Sequence, residues 1–217
     1  MIPALIIWLC NKYAAGRANK KKTPSARVIL LFLFTFFAGT VVAGERTFLI
    51  KRNGSVIGHM SFHIQENGDQ LFLKMISKVH TRIVFPVRVE TEDRAHFRNG
   101  RLIKSSTTRL VNGNEKALKE TFLMNNNYET RTGGRTGRIS GTIAYNMLLL
   151  YIREPLQDSL IYSDNFQCFV PIKKSGIHQY RIQLPDGNYN EYYFDRGICK
   201  RVVVHHTLYT ISMERID

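Results

Sequence analysis

From Thr47 onward the chain alternates apolar and polar residues in short runs broken by turn signals. A period of two reads as strands with one buried face. Thr47–Lys51 runs into Asn53-Gly54, a pair suited to a tight hairpin because both residues tolerate positive φ. Val56–Ile64 returns with Met60, Phe62 and Ile64 on one face, Asn67-Gly68 turns the chain, and Leu71–His80 follows. Ile83–Glu90 carries Pro86, which cannot donate to a ladder and suggests an edge or a bulge. Ala95–Arg98 and Leu102–Arg109 flank Asn99-Gly100, and Lys116–Met124 follows Asn112-Gly113. Further along come Asp158–Tyr162, Asn165–Lys173, His178–Leu184, Tyr189–Phe194, Ile198–His206 and Leu208–Glu214. Short alternating runs joined by tight turns predict a mainly β protein, an antiparallel strongly curved sheet or partly open β-barrel.

Two stretches break the rhythm. Residues 125–141, NNNYETRTGGRTGRISG, are polar and glycine-rich and read as a loop, or as a weak strand followed by a loop. Arg131, Arg135 and Arg138 lie there, but the spacing of a nucleotide P-loop is absent. The stretch Thr142–Pro155, TIAYNMLLLYIREP, is different: Ile143, Met147, Leu150 and Tyr151 recur at helical spacing. Thr142 can cap the amino end and Pro155 closes the other. Leu149 and Ile152 fill the opposite side, so the predicted short helix is apolar nearly all round and needs cover on several faces. Packed against the curved sheet, it would close one end of a barrel or lid an apolar cavity.

Composition adds an address. Residues 1–43 hold six basic residues, Lys12, Arg17, Lys20, Lys21, Lys22 and Arg27, and no acidic ones. Val28–Ala43 is 16 residues long and uncharged, shorter than the ~20 residues a spanning helix needs. Basic flank, apolar centre and small terminal residues are the pattern of a secretory signal with cleavage near Ala43; a retained membrane anchor is the alternative. The division expected is therefore a leader over 1–43 and a single antiparallel β domain over 44–217, exported to the periplasm or beyond the cell. Contact with the membrane would run through the signal segment alone. The whole chain has 31 basic and 17 acidic residues, and without the leader 25 face 17, a charge of +8 scattered along strands. That reads as a solvated face, or as affinity for anionic lipid head groups or acidic glycans. Export argues against nucleic acid. Cys10 falls in the leader; Cys168 and Cys199 could form a disulfide after export or pack as free thiols.

Candidate chemistry is sparse. His59 and His63 share a strand face about 13 Å apart, too far to ligate one ion, and His205 and His206 point to opposite faces. Glu90 and Glu92 share a face at about 6.6 Å, a spacing open to acid–base work, but Arg88 and Arg94 interleave with them and favour a salt-bridged surface. Nucleophile-elbow, zincin and Cys-x-x-Cys motifs are absent from the sequence. No catalytic residue, metal ligand or cofactor is assigned. Tyr180, Tyr189, Tyr192, Tyr193 and Phe194 form an aromatic hairpin, read as sheet packing or as a stacking wall for a sugar or an apolar ligand.

The runs FLIKRNGSVIGHMSF, HFRNGRLIKSSTTRLVNG, LLLYIREP, YSDNFQCFVPI and YRIQLPDGNYNEYYFDRGICKRVVVHHTLYTISM resemble the exported bacterial family called domain of unknown function 6134, over nearly all of 46–215. The resemblance implies an antiparallel, partly open barrel in the style of lipocalin-like carriers, and no catalytic residue. The function expected is non-enzymatic binding of an apolar or lipid-like small molecule in a curved-sheet cavity, with Met147, Leu150, Tyr151, Tyr180, Tyr192 and Phe194 as its lining. A structural or assembly factor contacting another envelope protein is the alternative. A glycan or lipid hydrolase, resting on Glu90 and Glu92, comes third.

Overall fold

The computed structural model describes residues 41–82, 86–155 and 159–216. The leader expected over 1–43 therefore lies outside it up to residue 40, as do the starts of the expected strands Ile83–Glu90 and Asp158–Tyr162. The described residues fall in one compact unit, Thr40–Asp217. Its first strand begins at Val41, three residues ahead of Gly44.

Two antiparallel meanders build one sheet. The first has eight strands: β1 (Val41–Arg52), β2 (Ser55–Asn67), β3 (Gln70–Arg82), β4 (Pro86–Arg98), β5 (Arg101–Val111), β6 (Asn114–Met124), β7 (Asn127–Thr132) and β8 (Arg135–Ile139). The second has six: β9 (Ser159–Ser163), β10 (Cys168–Gly176), β11 (Gln179–Gln183), β12 (Tyr189–Asp195), β13 (Ile198–His206) and β14 (Tyr209–Arg215). First strand pairs with last, Phe48 opposite Arg215 and Lys51 opposite Ser212, so the sheet runs from β8 through β1 and β14 to β9. The tight turns follow from residues that accept positive φ: Asn53-Gly54, Asn99-Gly100 and Asn112-Gly113 each hold two such positions in succession, as a type I′ turn requires.

Alternation fixes the inner face. Phe48, Met60, Phe62, Leu73, Ala95, Phe97 and Leu102 point in from the first meander. Ile172, Ile182, Tyr192 and Val202 do so from the second. β4 is one strand rather than the two expected, because Thr91–Arg94 continue the ladder to both neighbours (Met75 opposite Asp93, Asp93 opposite Thr107). Its polar inner positions hid the continuity. Residues 125–141 are likewise the hairpin β7–β8 rather than a loop: Tyr128 and Thr130 are buried, and Tyr128 pairs with Ile139.

The two ends of the sheet overlap instead of pairing. β9 is buried on both faces at Ile161, Tyr162 and Ser163, because its outer face lies against the inner face of β6 and β7. Tyr162 Oη meets Thr121 Oγ1 at 2.9 Å. Gln167, in the β9–β10 turn, donates to the carbonyls of Glu120 (2.9 Å) and Arg131 (3.2 Å) and accepts from Thr132 Oγ1 (2.6 Å). Lys119 Nζ reaches the Asn165 carbonyl. Side chains close this lap joint where a closed barrel would use a backbone ladder.

The helix expected over Thr142–Pro155 is present only as one 3-10 turn, Leu149–Tyr151. The reason is competition for backbone groups. Tyr145 and Met147 bond to Tyr162 as a short parallel bridge, with Tyr162 N–H donating to Tyr145 O (2.9 Å) and Met147 N–H to Tyr162 O (3.0 Å), so an α-helix cannot use them. The segment is apolar all round because it crosses the interior. It enters at Ile143, which bonds Leu102, and leaves at Glu154, whose N–H donates to Gly197 O and whose carboxylate takes His178 and Tyr180. Leu148, Leu149 and Leu150 are buried on the way, each stabilising by roughly 1.5–3 kcal/mol.

Cys168 and Cys199 are both free thiols, not a disulfide. They stand at the starts of β10 and β13, with β11 and β12 between them. Three strand spacings of ~4.8 Å exceed the reach of a bridge roughly twofold. Burial pushes the Cys199 thiol up to about 12 and so makes it a poor nucleophile.

Candidate functional site

The residues expected to line an internal cavity fill the interior themselves. Tyr151 sits at the centre, its ring 5.6 Å from Phe48, 5.7 Å from Phe62 and 6.1 Å from Tyr192, with its hydroxyl 3.7 Å from Met213 Sδ. Tyr180 and Phe194 pack edge to face at 5.7 Å nearby. Leu150 is buried, and Met147 is half-buried against the same core. Close packing therefore occupies the space under the sheet at these positions.

Above that apolar layer lies a polar cluster that the sequence reading did not single out. Asp164, in the β9–β10 turn, accepts from Asn146 Nδ2 at 2.9 Å and stands beside the Ser105 hydroxyl. Asp93 stands beside Thr107 on the facing strand, and Thr107 and Arg109 both favour its charged form. Burial outweighs these contacts: it pushes Asp93 up to about 6, and burial together with the nearby Asp93 charge pushes Asp164 up to about 7. One carboxylate oxygen of each, Asp93 Oδ1 and Asp164 Oδ1, is buried without a hydrogen-bond partner.

A groove of about 840 Å³ crosses β1 to β5 on the opposite, outer side. Leu73, Ala95 and Ser105 form its floor through their backbones, since their side chains turn inward and are buried. Strand register sets two outward rows across it. One runs Gln65, Phe72, His96, Lys104, and the other Glu45, His63, Lys74, Arg94, Ser106. Phe72 and His96 stack at 4.2 Å with 13° between their planes, and His96 Nε2 is 2.9 Å from Gln70 Oε1. Burial, with Arg98 nearby, lowers the His96 pKa and so favours the neutral ring. Lys74 lies 3.3 Å and Arg94 2.6 Å from Glu92, Lys104 3.6 Å from Glu120, and His63 3.8 Å from Glu45.

The sequence profile described as Domain of unknown function (DUF6134) matches residues 48–216. This chain belongs to the DUF6134 family. No curated protein matches it. The DUF6134 chain is similar in fold to the crystal structure of a β-barrel-like protein of domain of unknown function DUF1849 from Brucella abortus, with a TM-score of 0.56 at 8% identity over 82% of this chain and 96% of that one. At that identity the likeness concerns the fold alone.

Within this family member the other candidate groups are dispersed. Glu90 faces outward and pairs with Arg88 at 2.7 Å, while Glu92 is held between Lys74 and Arg94. His205 stacks on Tyr189 and meets Glu191 at 3.0 Å; His206 stacks on Tyr209. Among the described residues no three His, Cys, Asp or Glu side chains group to hold a metal ion. The groove was missed because its residues come from five strands and no local run marks it; strand register alone brings them together.

Proposed function

We propose that this DUF6134 protein is exported and acts, without catalysis, by binding a small molecule of the cell envelope in its outer groove. One observation carries the reading: a concavity of about 840 Å³, within the usual range of ligand sites, on the face opposite the packed core. A bound molecule would lie here and not among Tyr151, Tyr180 and Tyr192, the lining expected for an apolar or lipid-like ligand, because their surroundings are filled by other side chains. Export rests on the basic, then apolar, leader. Cleavage after Ala43 would remove one groove-lining residue and leave the Gly44 amino group at the β1 end of the groove. Native mass spectrometry of the protein isolated from the cells that make it tests both parts. The expected species starts near Gly44 and retains a small molecule that Ser106→Trp, filling the groove, displaces. A chain that retains its leader and fractionates with the cytoplasm overturns export, and the same ligand mass in both proteins, or none in either, overturns the groove.

A second reading, an assembly factor that contacts an envelope protein, is favoured by β8. This strand ends the sheet, and its far edge is paired to no other strand among the described residues, an arrangement open to strand addition by a partner. Thr136→Pro would then abolish capture of that partner while groove binding persists; capture indifferent to the substitution would count against it.

A further inference from the structure

Resting on the groove reading above, we infer that the ligand class is a neutral oligosaccharide, stacked on Phe72 and hydrogen-bonded along the neighbouring row of charged side chains. The argument starts from charge. Each cation on the groove wall already has a carboxylate on a neighbouring or the same strand: Lys74 and Arg94 share Glu92, and Lys104 has Glu120. A strongly anionic ligand would have to compete with those carboxylates for the same cations. An alkyl chain would strip water from three ion pairs and return no hydrogen bonds, which is unfavourable. A polyhydroxylated ligand avoids both penalties. Every hydroxyl donates and accepts, so one sugar can satisfy a guanidinium or ammonium donor and a carboxylate oxygen together, leaving the ion pairs intact.

The aromatic element points the same way. Phe72 is 39% exposed, high for a large apolar side chain flanked by strands on both sides. His96, from β4, covers one face of the ring and is itself held by Gln70. The other face turns toward β2, where Gln65, its cross-strand partner, offers an amide. A flat ring backed by His96 and 39% exposed offers apolar surface to the C–H face of a pyranose, while amide and charged groups at its margin meet the hydroxyls. From β1 to β5 the groove spans roughly 19 Å at ~4.8 Å per strand, room for several sugar units in a row.

The test titrates isotopically labelled protein, isolated from its own cells, with maltohexaose, cellohexaose and chitohexaose. A sulfated heparin hexasaccharide and monomeric dodecylphosphocholine are run in parallel. We expect a neutral hexasaccharide to shift amide resonances across β1–β5, with affinity changing less than about twofold when salt is raised about tenfold. Phe72→Ala should weaken binding by at least about tenfold and Phe72→Trp should retain it. The amide spectrum of each variant shows whether it is folded, and Ser106→Trp provides an independent block on the opposite row. Preferential, salt-sensitive binding of the sulfated sugar overturns the inference. So does binding of a neutral sugar that ignores both Phe72→Ala and Ser106→Trp. If dodecylphosphocholine shifts the groove amides and no neutral sugar does, the oligosaccharide is overturned while groove binding stands. If no probe shifts them, both fall.

Discussion

At Asn146 one amide side chain decides where the crossing segment runs. Its Nδ2 donates to Asp164 at 2.9 Å, and its Oδ1 accepts from Leu149 N–H at 3.2 Å, opening the 3-10 turn. The residue is fully buried. Leu149 N–H also donates to the Asn146 backbone carbonyl at 3.1 Å, so Asn146→Leu would take a partner from the Asp164 carboxyl alone, and a buried polar group that loses its partner costs about 1–3 kcal/mol. The urea midpoint should fall accordingly. Gly58 answers to a different constraint. A Cβ there would stand 2.2 Å from Lys78 O and 2.9 Å from Val79 Cα, both backbone atoms of β3 that cannot swing aside. Gly58→Ala should therefore destabilise by about 1–3 kcal/mol through overpacking, read from the same urea curve; an unchanged midpoint would contradict the close β2–β3 approach. At this scale the turn pairs were legible because positive φ selects Asn-Gly. Asp93 was not. It lies in the charge run 90–94, which resembles a solvated surface, and only its two-residue phase with Ala95 and Phe97 placed it inside.

At the scale of elements, the segment over Thr142–Pro155 shows what hydrophobic spacing can and cannot say. Spacing of three and four describes a helix, but a segment enclosed on every side is apolar at every spacing. Its burial followed from composition; its conformation depended on Tyr162, a partner 16 residues past Asn146 that no local pattern announces. The same holds for the lap joint. β6, β9 and β10 were recognisable as strands and β7–β8 was not, yet even for the recognised strands alternation is silent on whether two sheet edges pair or overlap. Gln167 carries three hydrogen bonds of that joint. Gln167→Ala should speed amide exchange in β6, β7 and β9 before β1 to β4, whose ladders do not depend on it. Mass-resolved hydrogen exchange checks this, and uniform acceleration would mean that the joint is not a separate unit of opening.

At the scale of the molecule, the overlapping sheet acts as a scaffold that holds an outer groove rigid over a packed interior, in a protein whose interior acids set its response to pH. Asp93 and Asp164 titrate near 6 and 7 in the fold, above the ordinary 3.8. The folded state therefore binds more protons than the unfolded one between about pH 4 and 7. Their contribution to stability is full below that window, lost as pH rises through it, and constant above. The melting temperature of the native chain minus that of Asp164→Asn should thus fall from about pH 5 to about pH 8; a difference that rises or stays level would contradict the burial of Asp164. Everything proposed for the groove assumes that the interior is already occupied by the chain's own side chains. Xenon, which enters apolar cavities and not packed cores, tests that assumption most directly. Diffraction from a xenon-pressurised crystal should show no xenon among Phe48, Phe62, Tyr151 and Tyr192. Ordered xenon along the Leu149–Tyr151 turn would reveal a hollow barrel and return the binding site to the inside.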